Sequence, residues 1–185
     1  PAPSAAPEPM PYVHGYSERE AQRLQDQAGA LVDLLHRGVA FPPGARVLEA
    51  GCGVGAQTVT LAGRSPGACF TAVDRDPASL AAARRAVAAA GHGNVAFLRA
   101  DLRALPFAEA AFDHAFVCFV LEHVPSPPAL LRELARVVRP GGTLTVIEGD
   151  HGSAFYYPDD ADARHAIECL VTLQARDGGD ARIGR

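Results

Sequence analysis

Short hydrophobic runs alternate with amphipathic stretches along most of this chain. The runs at 47–50, 69–73, 95–98, 114–117 and 143–147 are typical of buried strands, and segments of helical periodicity separate them. Strands that alternate with helices in this way form right-handed crossovers and pair in parallel. The pattern therefore predicts a doubly wound, Rossmann-like α/β fold, in which helices cover both faces of a mostly parallel sheet.

The predicted helices begin at recognisable signals. Ser17 and Glu20 form a capping-box pattern before an amphipathic helix that stops near Gly38. Asp76-Pro77 and Ser126-Pro127 each place an N-cap residue before a proline, so we expect both side chains to cap a helix. Two more helices are expected over about 57–64 and 161–175. Pro140-Gly141-Gly142 should separate the helix that follows Ser126 from the last strand.

The same pattern predicts how the chain is divided. Residues 1–11 contain five prolines and predict a mobile tail, and residues 12–185 predict one domain. Within it we expect a helical N-terminal cap at about 12–40, a cofactor-binding core at about 44–150 and a C-terminal helical segment at about 151–185. No strand pattern follows Ile147, so we expect a fragment whose C-terminal strands are missing.

Composition excludes several classes of protein. The chain has 185 residues and a net charge of −4, and all 17 basic residues are arginine. The absence of lysine excludes a Walker-type phosphate loop and Schiff-base chemistry. No apolar run is long enough for a membrane span, and no basic stripe favours nucleic acid. Four cysteines without a CxxC pair predict reduced thiols, a cytoplasmic location and no metal site.

A glycine loop follows the first predicted strand, at Gly51, Gly53 and Gly55. Ligands of doubly wound folds bind at the carboxyl ends of the strands, where glycines let a ligand approach the backbone. Gly51-x-Gly53-x-x-Ala56 also satisfies the dinucleotide fingerprint, with Asp74 at the end of the second strand as the ribose-binding acid. A nicotinamide-dependent oxidoreductase is therefore one interpretation of the loop.

Two further carboxylates favour a different ligand. Glu49 stands two positions before Gly51, and Asp101 is expected to end the third strand. Together with Asp74 they suit a ligand that has an amino group, a ribose diol and an adenine amine, and they would repel a pyrophosphate. S-adenosylmethionine is such a ligand.

At this point the sequence resembles the class I S-adenosylmethionine-dependent methyltransferases, in particular their small-molecule branch. The resemblance covers roughly residues 46–148. Its blocks are VLEAGCGVG from Val47, AVDRD from Ala72, ADL from Ala100 with LPF from Leu105, FD at Phe112 with LEH from Leu121, and LARVVRPGG from Leu134. It implies methyl transfer from S-adenosylmethionine to a small, apolar metabolite by in-line displacement.

The resemblance also implies which residues bind the cofactor. The glycine loop and Glu49 would hold the methionine part, Asp74 the ribose, and Arg75, Asp101 and Leu102 the adenine. The full set of expected cofactor-binding residues is Tyr16, Glu49, Gly51, Cys52, Gly53, Gln57, Asp74, Arg75, Asp101, Leu102, Cys118 and Phe119.

Methyl transfer requires a base only when the acceptor must lose a proton. The candidates are His123 after the fourth strand and His151 after the fifth, with His14 and Glu148 as further options. The first helix is a candidate surface for self-association. A relative that binds the cofactor without catalysis is a second alternative, beside the oxidoreductase.

Overall fold

The structure is a computed structural model that describes residues 18–185. The expected tail at 1–11, the capping residue Ser17, the candidate base His14 and the candidate ligand Tyr16 lie outside the described residues. The helices are α1 (Glu18–Leu35), α2 (Ala56–Arg64), α3 (Pro77–Ala89), α4 (Pro127–Val137) and α5 (Ala161–Arg176). The strands are β1 (Arg46–Ala50), β2 (Cys69–Asp74), β3 (Val95–Arg99), β4 (Phe112–Cys118) and β5 (Val138–Ile147).

The five strands form one parallel sheet in the order β3-β2-β1-β4-β5. The doubly wound parallel fold predicted from the sequence is confirmed. The chain moves outward from β1 to β3 and then crosses to β4 on the other side of β1, so strand order reverses between β1 and β4. Ala50 pairs with Val73 on one side and with Val117 on the other, which aligns the carboxyl ends of these strands at one edge.

Hydrophobic clusters cover the two faces of the sheet because side chains alternate along a strand. Val47 packs with Leu61 of α2 and Phe116, whereas the next residue, Leu48, packs with Leu130 and Leu134 of α4. All of these side chains are buried. The central strands are therefore fixed from both sides, and their carboxyl ends form a rigid base for the loops that follow.

Two expectations about helix α4 and strand β5 are wrong. Ser126 occupies the N-cap position of α4, but its side chain makes no capping hydrogen bond, whereas Asp76 accepts from the Ser79 N–H and caps α3 as expected. Strand β5 begins at Val138 and includes Pro140-Gly141-Gly142. Proline is accepted there because β5 lies at the edge of the described sheet, where one side needs no N–H donor.

Gly142 allows the close pairing of β5 with β4. A Cβ atom at this position would lie 2.3 Å from the Asp113 carbonyl oxygen. The register shifts between Phe112 and His114 at the same place. The Pro-Gly-Gly segment that predicted a turn is therefore an irregular start to the strand. Between Glu148 and Arg185, all of which the structure describes, there is no further strand, as expected.

Candidate active site

The glycine loop after β1 turns back against the end of β2. The N–H groups of Gly51 and Cys52 both donate to the Val73 carbonyl oxygen, at 2.8 and 3.0 Å. Gly51 has φ +77, and a Cβ atom on it would lie 2.5 Å from Val120 Cγ2. Gly53 has φ +50 and open space where a Cβ atom would project. The loop thus needs glycine to turn and leaves room beside Gly53 for a ligand.

Glu49 places a buried carboxylate beneath this loop. Its side chain is 3% exposed, and Oε2 has no hydrogen-bond partner in the described part of the chain. Burial raises the pKa of Glu49 to about 7, and the nearby Asp74 carboxylate adds to the rise. A buried carboxylate oxygen without a partner is unfavourable until a donor or cation reaches it. Glu49 therefore fits the ammonium group of an amino-acid ligand.

Asp74 holds the loop to the end of β2. Its Oδ2 accepts from the Gly53 N–H at 2.8 Å and its Oδ1 accepts from the Asp76 N–H at 2.9 Å. An ionised carboxylate has about four acceptor positions, so two bonds leave capacity for hydroxyl donors. The next residue, Arg75, is partly exposed, and its carbonyl oxygen accepts from Arg99 Nε at 3.0 Å. Asp74 therefore has acceptor positions available for the hydroxyl groups of a ligand.

Asp101 lies two residues beyond β3, which ends at Arg99 and not at Asp101 as expected from the sequence. The Arg103 guanidinium donates hydrogen bonds to both oxygens of Asp101, at 2.5–3.0 Å. This contact lowers the pKa of Asp101 and keeps it ionised. Leu102 packs against the core cluster below. Asp101 is thus at the expected edge, but it already has a donor.

Gln57 and Cys52 have surroundings that the sequence did not predict. Gln57 Oε1 lies 2.6 Å from Nε2 of His36, which is fully buried at the end of the first helical segment and stacks on Phe116. Burial lowers the pKa of His36. Burial and the carboxylates of Glu49 and Asp74 raise the pKa of Cys52, so its thiol stays neutral. Gln57 therefore joins two helices through a side chain the sequence analysis missed.

The end of β4 brings a second group of carboxylates to the same edge. Cys118 ends the strand, and Phe119 follows with φ +56 while its N–H donates to the Ile147 carbonyl oxygen at 2.9 Å. Burial, with the carboxylates of Glu148, Glu49 and Glu122, raises the pKa of Cys118 to about 12. Cys118 is thus a neutral thiol that lies among three acidic side chains.

Glu122 brings together the two histidines that the sequence proposed as catalytic. Its Oε1 lies 3.5 Å from His123 Nε2, and its Oε2 lies 3.5 Å from His151 Nε2. Gln174 of α5, 1% exposed, donates from Nε2 to the Glu122 carbonyl oxygen at 2.9 Å and to Oε2 at 3.1 Å. Neither Glu122 as the central carboxylate nor Gln174 was expected, because nothing in the sequence pairs residues about 50 positions apart.

Glu148 organises the turn that carries Glu122. Its Oε1 accepts from the backbone N–H groups of Val120 and Leu121, at 3.0 and 2.8 Å, while Oε2 is buried without a partner among the described residues. Burial raises the pKa of Glu148.

We call the region of Glu49, Asp74, Asp101 and the loop at 51–55 the cofactor side. The region of Cys118, Glu122, His123, Glu148, His151 and Gln174 is the acceptor side.

Residues 18–185 contain no group of three or more His, Cys, Asp or Glu side chains that could hold a metal ion. None of the helices described is both long and apolar enough to cross a membrane. The carboxyl ends of the strands carry a glycine loop with open space beside Gly53, the buried Glu49 carboxylate whose Oε2 has no partner in the described residues, and the Asp74 carboxylate with acceptor positions to spare. These features fit S-adenosylmethionine, and they define a cofactor-binding α/β domain.

Comparisons with known proteins show that the chain is similar to methyltransferases. The family described as "Methyltransferase domain" matches residues 48–146, more than half of the chain. A demethylmenaquinone methyltransferase of Thermus thermophilus is 32% identical, covering 74% of this chain and 75% of that protein. The 27-O-demethylrifamycin SV methyltransferase of Amycolatopsis mediterranei is 31% identical, covering 72% and 49%. The crystal structure of a SAM-dependent methyltransferase from Aquifex aeolicus superposes with a TM-score of 0.65 at 21% identity, covering 89% of each chain.

The chain belongs to this methyltransferase family, and the resemblance seen in its sequence blocks is confirmed. Apart from the Thermus protein, the chain spans only about half the length of the curated relatives it matches, between 42% and 58%. The Aquifex structure shows a shared fold and nothing about the acceptor.

Proposed function

We propose that this chain transfers a methyl group from S-adenosylmethionine to a small, apolar metabolite. The observation that carries the proposal is the buried carboxylate of Glu49, whose Oε2 has no partner in the described residues and which lies at the start of a glycine loop with open space beside Gly53. S-adenosylmethionine supplies an activated methyl group on a sulfonium. The protein has to bind, orient and keep water from the reacting groups.

Each side of the strand edge has a task in this reaction. Glu49 takes the ammonium of the methionine part, and the backbone of the loop lies against the same part. Asp74 accepts from the ribose hydroxyls with its unused lone pairs. One oxygen of Asp101 leaves Arg103 and accepts a hydrogen bond from the adenine amine, and Arg75 and Leu102 lie beside the adenine ring. Cys118 and Phe119 border the amino-acid end, as does Cys52. Tyr16, which lies outside the described residues, stays a predicted cofactor ligand.

The surface next to Glu148 offers room for an acceptor. A depression there is lined by apolar and charged side chains, namely Leu121, Val146, Ile147, Glu148, Ile183 and Arg185, and by Gly184. The names of the Thermus and Amycolatopsis relatives describe methyltransferases of a demethylated menaquinone and a demethylated rifamycin, which are small molecules. We propose the same class of acceptor for this chain. His151 and His123 are the candidate bases, and a cytoplasmic location and self-association stay predictions.

Thermal unfolding in the presence of S-adenosylhomocysteine tests cofactor binding, because a ligand that binds only the folded state raises Tm. We expect S-adenosylhomocysteine to raise Tm and NAD to leave it unchanged. Glu49→Gln should weaken the S-adenosylhomocysteine response, whereas Glu168→Gln, an exposed residue of α5, should not. Stabilisation by NAD alone would establish the oxidoreductase alternative. Transfer of labelled methyl groups into a metabolite extract then tests the reaction, and its absence from every fraction would favour a non-catalytic relative.

A further inference from the structure

The acceptor side contains two histidines around one carboxylate, and the structure distinguishes them. We propose that Glu122 is a positioning residue that presents Nδ1 of His151 to the methyl acceptor as the general base, while Gln174 occupies Nδ1 of His123. This inference rests on the proposed function and deepens it.

Glu122 is well placed to orient both imidazoles. Its side chain is 8% exposed, and each of its oxygens lies 3.5 Å from the Nε2 atom of a different histidine. A buried carboxylate attracts the ring nitrogen that carries the proton, so it favours the Nε2–H form of each neutral ring. The other nitrogen, Nδ1, is then the one that accepts a proton in each imidazole.

Gln174 separates the roles of the two rings. The two N–H groups of its Nε2 face three acceptors, which are the Glu122 carbonyl oxygen, Glu122 Oε2 and, at 3.3 Å, Nδ1 of His123. An amide N–H group beside Nδ1 means that this nitrogen acts as an acceptor and that His123 carries its proton on Nε2. His123 is therefore engaged at both ring nitrogens, and it serves the structure of the site.

His151 differs at the same atom. Nothing in residues 18–185 provides a partner for its Nδ1, and its side chain is 34% exposed. Its position is nevertheless fixed, because its backbone N–H donates to the carbonyl oxygen of the buried residue Ala181 at 2.9 Å. Asp150, the preceding residue, accepts from the Gly152 N–H and pairs with Arg185. The backbone of His151 is thus held in place, while its Nδ1 has no partner among the described side chains.

The proton and electron balance of the step is simple. The acceptor O–H, N–H or C–H bond gives its proton to Nδ1 of His151, and its electron pair forms the new bond to the methyl carbon. The electron pair of the old carbon–sulfur bond stays on sulfur, which becomes a neutral thioether. The Glu122 carboxylate stabilises the imidazolium that results, since a positive charge next to it is favourable.

The first test needs no acceptor. In protein with ¹⁵N-labelled histidine, the side-chain spectrum reports which ring nitrogen carries the proton of each neutral imidazole. His151→Gln assigns the signal of His151, and His165→Gln, an exposed residue of α5, is the matched control. We expect the Nε2–H form for His151, a shift toward the Nδ1–H form in Glu122→Gln, and recovery in Glu122→Asp. An Nδ1–H form of His151 in the unmodified protein would overturn the proposal even if the Glu122 variants do not fold.

The second test uses labelled S-adenosylmethionine and the extract fraction that accepts methyl groups. His151→Gln should lower kcat by roughly 10²–10⁴-fold, the range of general-base catalysis, with little change in KM for S-adenosylmethionine. His123→Gln should lower it by much less, and His165→Gln should have no effect. Equal losses for the two site histidines would contradict the assignment. Absence of transfer or of S-adenosylhomocysteine binding in the unmodified protein would instead count against the proposed function, and the ¹⁵N result would still decide the role of Glu122.

Discussion

The cofactor side and the acceptor side share one edge of the sheet, but the contacts within each side differ in how far apart their residues lie in the sequence. On the cofactor side, Asp74 contacts residues 21 and 2 positions away, and Asp101 contacts a residue 2 positions away. On the acceptor side, Gln174 reaches Glu122 across 52 positions, and Glu148 reaches Leu121 across 27. The contacts of the cofactor side thus span at most one strand–helix–strand unit, whereas the acceptor side depends on how α5 and the last residues return to the sheet.

The largest expected effect concerns the glycine loop. A Cβ atom on Gly55 would lie 2.8 Å from Ala83 Cα, and its φ of +83 disfavours any other residue. We expect Gly55→Ala to lower the free energy of unfolding by about 2–5 kcal/mol, measured by urea denaturation. Gly91→Ala is the matched control, because Gly91 has φ +76 with open space around it and should lose only about 1 kcal/mol. Equal losses of unfolding free energy for Gly55→Ala and Gly91→Ala would show that the close contact between Gly55 and α3 does not contribute to stability.

The second prediction uses the buried carboxylate of the cofactor side. The folded-state pKa of Glu49 is about 7, above its ordinary value of 4.5. The folded state therefore binds the extra proton between these values, and stability should fall as pH rises through that window. Glu49→Gln should remove this dependence and be more stable than the unmodified protein at pH 8 by roughly 3 kcal/mol.

Glu148→Gln is the comparison for that prediction on the acceptor side. Burial also raises the pKa of Glu148, but its Oε1 accepts from two backbone N–H groups. We expect a smaller gain at pH 8 than for Glu49→Gln, because an amide oxygen accepts these bonds less strongly than a carboxylate. Denaturation curves at pH 5 and pH 8 measure both variants. An equal or larger gain for Glu148→Gln would mean that the two backbone bonds contribute nothing.

The third prediction tests the long-range contacts of the acceptor side. Gln174→Ala removes two hydrogen bonds, one to the Glu122 carbonyl oxygen, which keeps the Asp180 N–H as a donor, and one to Glu122 Oε2. We expect a loss of about 1–3 kcal/mol in the free energy of unfolding. Arg176→Ala, on the exposed face of the same helix, should stay within about 0.5 kcal/mol. If Tm measurements show the two variants to be alike, α5 does not hold the acceptor side.

The smallest effect is expected for ion pairs at the surface of either side. Arg103→Ala breaks the pair with Asp101 on the cofactor side, and Arg164→Ala breaks the exposed pair with Asp159 on α5. Both should change the free energy of unfolding by less than Gln174→Ala does, because solvent screens exposed pairs. A clearly larger loss of unfolding free energy for Arg103→Ala in denaturant titrations would give the Asp101–Arg103 pair a structural role. It would then count against the proposal that Asp101 exchanges its contact with Arg103 for one with the adenine amine.

Local signals predicted the fold well where they acted within one element. The alternation of strands and helices, the cap at Asp76 and the glycine loop were correctly predicted from the sequence. The start of β5 was not, because Pro140 and Gly142 are governed by pairing with β4 and by the Asp113 backbone. Ser126 likewise has the residue type of a cap, but the geometry of its side chain gives it no hydrogen bond.

The sequence by itself determined the sheet and the glycine loop, because strand ends and glycine turns are encoded in consecutive residues. It proposed both His123 and His151 as candidate bases. Only the tertiary structure distinguishes their surroundings, because the neighbour of His123 is Gln174, on a helix that returns to the sheet about fifty residues later. Hydrogen bonds between such distant residues form only when the whole chain has folded, so no local pattern of residues encodes them.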